Sequence, residues 1–284
     1  MAIINPKSIY TIAKKEFMDN IRNKWIIAMV IIFLLLTILS SYLAGGQAGG
    51  EEALGGMEDT VVTLLSISSL LIPIIAIMLG YATISGEAES GSLSIVLSYP
   101  IKRVEVLIGK LLGLGSVLIF SIVIGFGVGG LIIAATVGAA EGIAFLLFIV
   151  LTVILGFVYL SLSICISSIT KKRVTSIAGG VMIFFWAMIY GMIIFGILLA
   201  SGITFEQFMT PGFNYPDWLF NSVFFSPGDL YQMTVMKGFG LSQAFGFTMD
   251  IPEYMNLGLL LFAQFIWLII PMIIAYQFFK KRDI

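Results

Sequence analysis

Residues 143–168 read IAFLLFIVLTVILGFVYLSLSICISS, a stretch without a single charged side chain. A helix needs about 20 apolar residues to cross the hydrocarbon core of a bilayer, so this stretch predicts a membrane-spanning helix. Other predominantly apolar runs of sufficient length lie at about 25–44, 61–82, 106–136, 174–200 and 255–278. The sequence therefore predicts an all-α integral membrane protein with six transmembrane helices, because helices satisfy their own backbone groups in lipid.

The composition supports the same fold class. Hydrophobic residues make up 59% of the chain, charged residues 11%, and the mean hydropathy is +1.07. A soluble globular protein carries about 25% charged residues, so this chain has too little polar surface for a water-soluble particle. We expect residues 1–284 to form a single transmembrane domain in the plasma membrane.

Catalytic, metal and nucleic-acid functions are not expected. The chain has no histidine, which is the commonest general base and metal ligand. Its one cysteine, Cys165, lies in an apolar run, so no intrachain disulfide forms. The net charge of −1 also gives no basic surface for nucleic acid. We therefore predict no catalytic residue, no metal site and no cofactor site in this chain.

The basic residues predict the orientation of the chain. All 15 lysines and arginines except Lys237 lie before the first span, between the second and third, between the fourth and fifth, or after the sixth. These are alternate connections, and basic residues favour the cytoplasmic side. The N- and C-termini are therefore both expected in the cytoplasm.

Residues 5–24 predict an amphipathic helix on the cytoplasmic side. At about 100° per residue, one arc of this helix is apolar and a neighbouring arc is basic. The apolar arc contains Ile9, Tyr10, Ala13, Phe17 and Ile21, and the basic arc contains Lys7, Lys14, Lys15 and Arg22. Adjacent apolar and basic faces suit a helix that lies at the level of the lipid headgroups.

The segment 201–254 is predicted on the external side, and it is rich in aromatic residues. Pro211, Pro216 and Pro227 interrupt it. Since a solvated loop would not carry so many rings, we expect short helices that lie at the interface or return among the spans. The choice between these two arrangements stays open at this point.

The connection at 83–105 carries the most information about function. It contains the sequence GEAESGSLSIVLSYPIKR, residues 86–103. Leu93, Val96 and Leu97 make an apolar stripe at helical spacing, and Pro100 ends that helix. The connection is either a short helix that transmits force from a cytoplasmic partner, or a solvated loop whose basic residues only fix the topology.

This connection resembles the loop between the second and third spans of type-2 ABC exporter permeases. The residues that match are Glu87, Glu89, Ser90, Gly91, Ser92, Leu93, Leu97, Pro100, Arg103, Gly109 and Lys110. The resemblance implies a coupling helix that docks on a separate ABC ATPase subunit. It also implies that ATP and magnesium are held by that subunit and that two permease chains pair, as a homodimer or a related heterodimer.

A second match lies before the last span, in residues 225–231. Ser226, Pro227 and Asp229 resemble the Asn-Pro-x-Asp segment of the six-span permeases that include the one serving nitrous-oxide-reductase maturation, with serine in place of asparagine. The resemblance covers essentially the whole chain. It implies a functional motif on the external side.

The glycines do not form a nucleotide site. A P-loop needs a glycine five residues before Gly-Lys and a hydroxyl after it, and Gly109-Lys110 has Val104 and Leu111 there. The pairs Gly109/Gly113 and Gly125/Gly129 instead predict close helix packing, against another span or a second copy of the chain.

The sequence therefore favours the permease subunit of an ATP-driven ABC exporter. One alternative is a membrane component that relays ATP hydrolysis to an external partner without transport. Another is a secondary transporter that works without ATP. No charged residue lies well inside a predicted span, and this argues against ion-coupled transport.

Overall fold

The computed structural model describes residues 5–22, 24–47, 57–136, 142–208, 210, 213–240, 243–244, 247–248 and 251–282. The helices are α1 Pro6–Arg22, α2 Trp25–Gln47, α3 Met57–Gly80, α4 Ser85–Glu89, α5 Ser92–Ser98, α6 Arg103–Thr136, α7 Gly142–Ile169, α8 Arg173–Ala200, α9 Phe205–Phe208, α10 Asp217–Ser222, α11 Pro227–Phe239 and α12 Leu257–Lys280. A 3₁₀ turn, Val223–Phe225, precedes α11, and β1 Gln243–Ala244 pairs with β2 Phe247–Thr248 in an antiparallel hairpin.

The predicted fold class is confirmed. Within the described residues, six helices are long and apolar enough to cross a membrane, namely α2, α3, α6, α7, α8 and α12. Helix α7 lies at the centre and packs against α3, α6, α8, α11 and α12. Of the residues in the spanning part of α7, 61% are buried, whereas only 11% of those in the spanning part of α8 are buried. Most of the surface of α8 is therefore left for lipid or for another chain.

Helix α6 packs closely against two earlier helices through its glycines. A Cβ atom on Gly125 would overlap Cβ of Phe33 in α2, and one on Gly129 would lie 2.5 Å from Cβ of Thr37. Gly109 likewise leaves room for Ile12 of α1, at 2.7 Å. The partners of both glycine pairs therefore belong to this same chain, and they are α2 and α1 rather than a second copy.

Gly125→Ala is expected to destabilise the α2–α6 contact by about 1–3 kcal/mol, because the new methyl group overlaps Phe33. Gly127→Ala is the matched control, since nothing lies within 4 Å of the position of its Cβ. Unfolding in mixed detergent micelles measures the two variants side by side. Equal stability of the two would contradict this packing.

The face of α1 that is buried differs from the predicted apolar arc. Its buried side chains are Ile12 and Glu16, which face α6, while Tyr10 and Ile21 stay 67% and 40% exposed. Gly113 allows this rotation, because a Cβ there would lie 2.7 Å from the backbone oxygen of Ala13. The predicted apolar arc is thus divided between a face on the protein and an exposed face.

The segment 201–254 contains two different structures. Helix α11 packs among the spans α3, α7 and α12, and its buried Tyr231 shares a hydrogen bond of 2.8 Å with Thr152 of α7. On its other side, Gln264 of α12 donates to the hydroxyl of Thr234 at 2.7 Å. The preceding residues form a separate aromatic cluster with edge-to-face contacts, which joins Phe208, Phe213, Tyr215 and Phe220.

Candidate functional site

Most of the basic residues gather at one end of the bundle, which we call the basic end. It is formed by α1, α4, α5, the first turns of α6 and α8, and the last turns of α7 and α12. Arg103 donates to the backbone oxygen of Lys280 at 2.7 Å, and Arg282 donates to that of Lys171 at 3.5 Å. These contacts join the start of α6 to the end of α12, and the end of α12 to the connection between α7 and α8.

Gly91 separates α4 from α5 within the connection at 83–105. Its φ of 75° lies in the left-handed region, where glycine has no steric cost. The hydroxyl of Ser92 then donates back to the oxygen of Glu87 at 3.2 Å. The two short helices therefore form a fixed angle rather than a solvated loop.

The apolar stripe of α5 faces the bundle. Leu93 is fully buried, and Val96 and Leu97 are half-buried against the core. The side chain of Leu93 therefore packs into the core and holds α5 on the spans. The outer face instead presents Ile95 and Tyr99, which are 65% and 61% exposed.

Of the other residues in this connection that resemble the permease loop, some form contacts within the chain and others are exposed. Arg103 lies 5.6 Å from the centre of the Phe279 ring and bonds the end of α12, so its guanidinium is engaged within the chain. Glu89 accepts from the backbone N–H of Arg173 at 2.8 Å and so caps the start of α8. Pro100 is exposed after the end of α5.

Four charged residues, which we call the ion cluster, join α1, α4 and α6. The Lys110 ammonium lies 2.8 Å from Oε1 of Glu16 and 2.7 Å from Oε1 of Glu87, and Lys15 lies 3.4 Å from both carboxylates. Lys110 is only 2% exposed. Burial alone would raise the pKa of Glu16, but the ammonium groups of Lys110 and Lys15 lower it below its usual value. Glu16 therefore stays ionised at neutral pH.

A serine joins α4 to α7. The hydroxyl oxygen of Ser167 accepts from the backbone N–H groups of Ile84 and Ser85, both at 3.0 Å, and all of these atoms are buried. It also lies 3.1 Å from the hydroxyl of Ser85. Sequence reasoning missed this contact, because nothing in the sequence shows which backbone groups the Ser167 hydroxyl meets.

Halfway along the bundle, a cleft of about 160 Å³ opens between α3, α8 and the start of α11. Residues from the middle of α3, α7 and α8 contribute to its walls. The lining residues are Ser69, Leu70, Pro73, Tyr159, Phe184, Ala187, Met188, Gly228, Asp229 and Gln232. Polar and apolar groups thus share this space.

Asp229 belongs to the motif that the sequence predicts in the external segment 201–254. Helix α11 carries it beside the middle of three spans. Ser226 begins α11 by accepting from the N–H of Asp229 at 3.4 Å, and Pro227 takes the first helical position. Burial raises the pKa of Asp229, and its hydrogen bond with Ser226 lowers it to a smaller extent.

Comparison with known proteins agrees with this architecture. Residues 10–284 match the family described as ABC-2 family transporter protein. The chain is 32% identical over 285 residues to a protein of Pseudomonas aeruginosa named as a probable ABC transporter permease protein, NosY, and the match covers 97% of this chain and 99% of that one.

A protein of the same name from Stutzerimonas stutzeri is 30% identical over 285 residues, which cover 96% of this chain and 98% of the relative. The six spanning helices and these matches, which extend over nearly the full length, identify a membrane permease subunit of an ABC transporter. The chain belongs to the ABC-2 family of transporter proteins.

Proposed function

We propose that this permease subunit works in an ATP-driven exporter, in which a separate ATPase subunit docks on the basic end. That subunit would bind ATP and magnesium, and a second permease chain would complete the membrane part. The observation that carries the proposal is the construction of the 83–105 connection. Its inner face is bonded to the bundle, while its outer face presents Ile95 and Tyr99 to a partner.

The same contacts provide a route for force. A push on α4 reaches α1 and α6 through the ion cluster, since Glu87 and Glu16 share the ammonium of Lys110. It reaches α7 through Ser167 and the start of α8 through Glu89. An ATPase that moves this connection would therefore shift four helices together and change the arrangement of the spans.

The orientation follows from the distribution of charge. Because basic residues favour the cytoplasmic side, the basic end would face the cytoplasm, where ATP is hydrolysed. Both termini would lie there as well. Helix α8 has the least buried span, and this leaves its apolar surface for the second permease chain or for lipid.

Ile95→Glu combined with Tyr99→Glu is expected to weaken docking of the ATPase subunit at least tenfold. The reason is that two exposed apolar side chains at the centre of the contact become charged and cannot be desolvated there. Co-purification with the ATPase subunit and stimulated ATP hydrolysis are the two measurements. Phe205→Glu is the matched control, because Phe205 is 57% exposed in α9, far from the basic end.

Unchanged association of the double variant would overturn the proposed docking site. Transport assays on the permease chain reconstituted in liposomes, with and without the ATPase subunit, then distinguish the two alternative functions. Transport by the permease chain alone under an ion gradient would favour a secondary transporter. ATP hydrolysis without movement of any substrate would favour a relay to an external partner.

A further inference from the structure

The acidic side chain of Asp229 lies in the cleft beside α11 without a basic partner among the described residues. In the described part of the chain no lysine or arginine forms an ion pair with Asp229. An ionisable group at the depth of a membrane bundle is costly unless it is paired, and it therefore points to a functional site. The carboxylate of Asp229 instead contributes to the wall of an open cleft.

The carbonyl oxygen of Gln232 is a second hydrogen-bond acceptor in the cleft, and two hydrogen bonds show this. The hydroxyl of Ser69 donates to the backbone oxygen of Ser66 at 2.8 Å, so its oxygen is left to accept. The amide nitrogen of Gln232 donates to this hydroxyl oxygen of Ser69 at 2.9 Å. This fixes the orientation of the amide, and the carbonyl oxygen of Gln232 has no hydrogen-bond partner among the described residues.

Half of the residues that line the cleft are apolar. They are Leu70, Pro73, Phe184, Ala187 and Met188. The volume of about 160 Å³ holds a group as large as several water molecules, each of which occupies about 30 Å³ in the liquid. A ligand that fits would carry hydrogen-bond donors and a positive charge at one end and a short hydrocarbon chain at the other.

We propose that this cleft binds the ammonium group of a small alkylamine between Asp229 and Gln232, on the substrate path of the exporter. The hydrocarbon part would lie against Phe184 and Met188. This inference rests on the proposed function for its place on a substrate path, whereas the binding site itself rests on the cleft. A purely structural role for Asp229, as the acidic residue in the first turn of α11, predicts a change of stability without a change of binding.

The test uses the full-length chain in lipid nanodiscs and radiolabelled n-butylammonium as the probe. Wild-type chain is expected to bind the probe, with competition by unlabelled n-butylammonium and none by butyrate. Asp229→Asn keeps the size of the side chain but removes its charge, and it is expected to weaken binding about tenfold or more. Asp217→Asn is the matched control, because Asp217 begins α10 in the same segment but is exposed and outside the cleft.

A second variant keeps the test informative if Asp229→Asn fails to fold. Met188→Trp fills the cleft from α8, where Met188 is 54% exposed, and it is expected to abolish binding without touching Asp229. Three outcomes would overturn the inference: no saturable binding to the wild type, equal binding by both aspartate variants, or competition by butyrate.

The proposed function is judged separately by assembly with the ATPase subunit. Wild-type chain that assembles and stimulates ATP hydrolysis but binds no n-butylammonium would refute the amine site alone. Wild-type chain that binds the probe but never associates with an ATPase subunit would refute the proposed function and leave the binding site standing.

Discussion

Lys110→Met is expected to destabilise the protein by about 3–5 kcal/mol, because it removes the buried cation nearest to the carboxylates of Glu16 and Glu87 and leaves them only the exposed Lys15, at 3.4 Å. The ammonium of Lys110 lies within 2.8 Å of Glu16 and 2.7 Å of Glu87, and methionine has a similar length but no charge. One carboxylate oxygen of Glu87 already has no partner among the described residues. The variant is also expected to uncouple α1 from α4, so that the ATPase subunit binds but its hydrolysis is no longer stimulated.

Unfolding in mixed detergent micelles and ATP hydrolysis by the reconstituted complex are the measurements for this variant. Lys14→Met is the matched control, since Lys14 lies on the exposed side of α1 and has no ion pair in the described part of the chain. Adding Glu16→Gln and Glu87→Gln to Lys110→Met should restore much of the stability, because no carboxylate is then left without the Lys110 ammonium and the remaining charge, on Lys15, is exposed. A triple variant no more stable than Lys110→Met would refute this explanation.

Ser167→Ala is expected to destabilise the protein by about 2–4 kcal/mol, because it leaves two buried N–H groups without an acceptor and each unsatisfied group costs about 1–3 kcal/mol. The groups belong to Ile84 and Ser85, at the start of the 83–105 connection. The loss is also expected to loosen α4 from α7 and so to lower stimulated ATP hydrolysis.

The neighbouring serine provides the control for this variant. Ser168 is buried as well, but its hydroxyl donates only to the oxygen of Ile164 in the same helix, at 2.8 Å. Ser168→Ala therefore removes a donor without leaving a buried N–H unpaired, and its cost should stay below about 1 kcal/mol. Similar losses for the two alanine variants would show that Ser167 has no special role in holding α4.

The spans could be predicted from the sequence because bilayer thickness and hydropathy alone determine them. Residues 143–168 needed only their length and lack of charge to be identified, and α7 occupies Gly142–Ile169. Helix α5 also left a signal, since Leu93, Val96 and Leu97 have helical spacing and Pro100 follows the end of the helix. Such local signals do not depend on what the helix later contacts.

The contacts between helices could not be predicted in the same way. Gly109 and Gly125 indicated close packing, but the identity of the packing partner depends on the three-dimensional arrangement. The same holds for Leu93, whose stripe shows that one face of α5 is apolar but not whether that face meets the spans or a partner. The surroundings of Asp229 could not be chosen from the sequence, because a helix that enters the bundle without crossing it has no distinctive length.

The salt bridge between Glu16 and Lys110 has a consequence for biogenesis. These partners are separated by 94 positions in the chain. At about 5–20 residues per second, a ribosome needs roughly 5–20 s to add Lys110 after Glu16. During that interval the first helix made has no place to dock, and its exposed aromatic and aliphatic side chains must be sheltered by the membrane surface or by a chaperone. Correct assembly of this permease therefore depends on how well the nascent amino terminus is protected until the third span emerges.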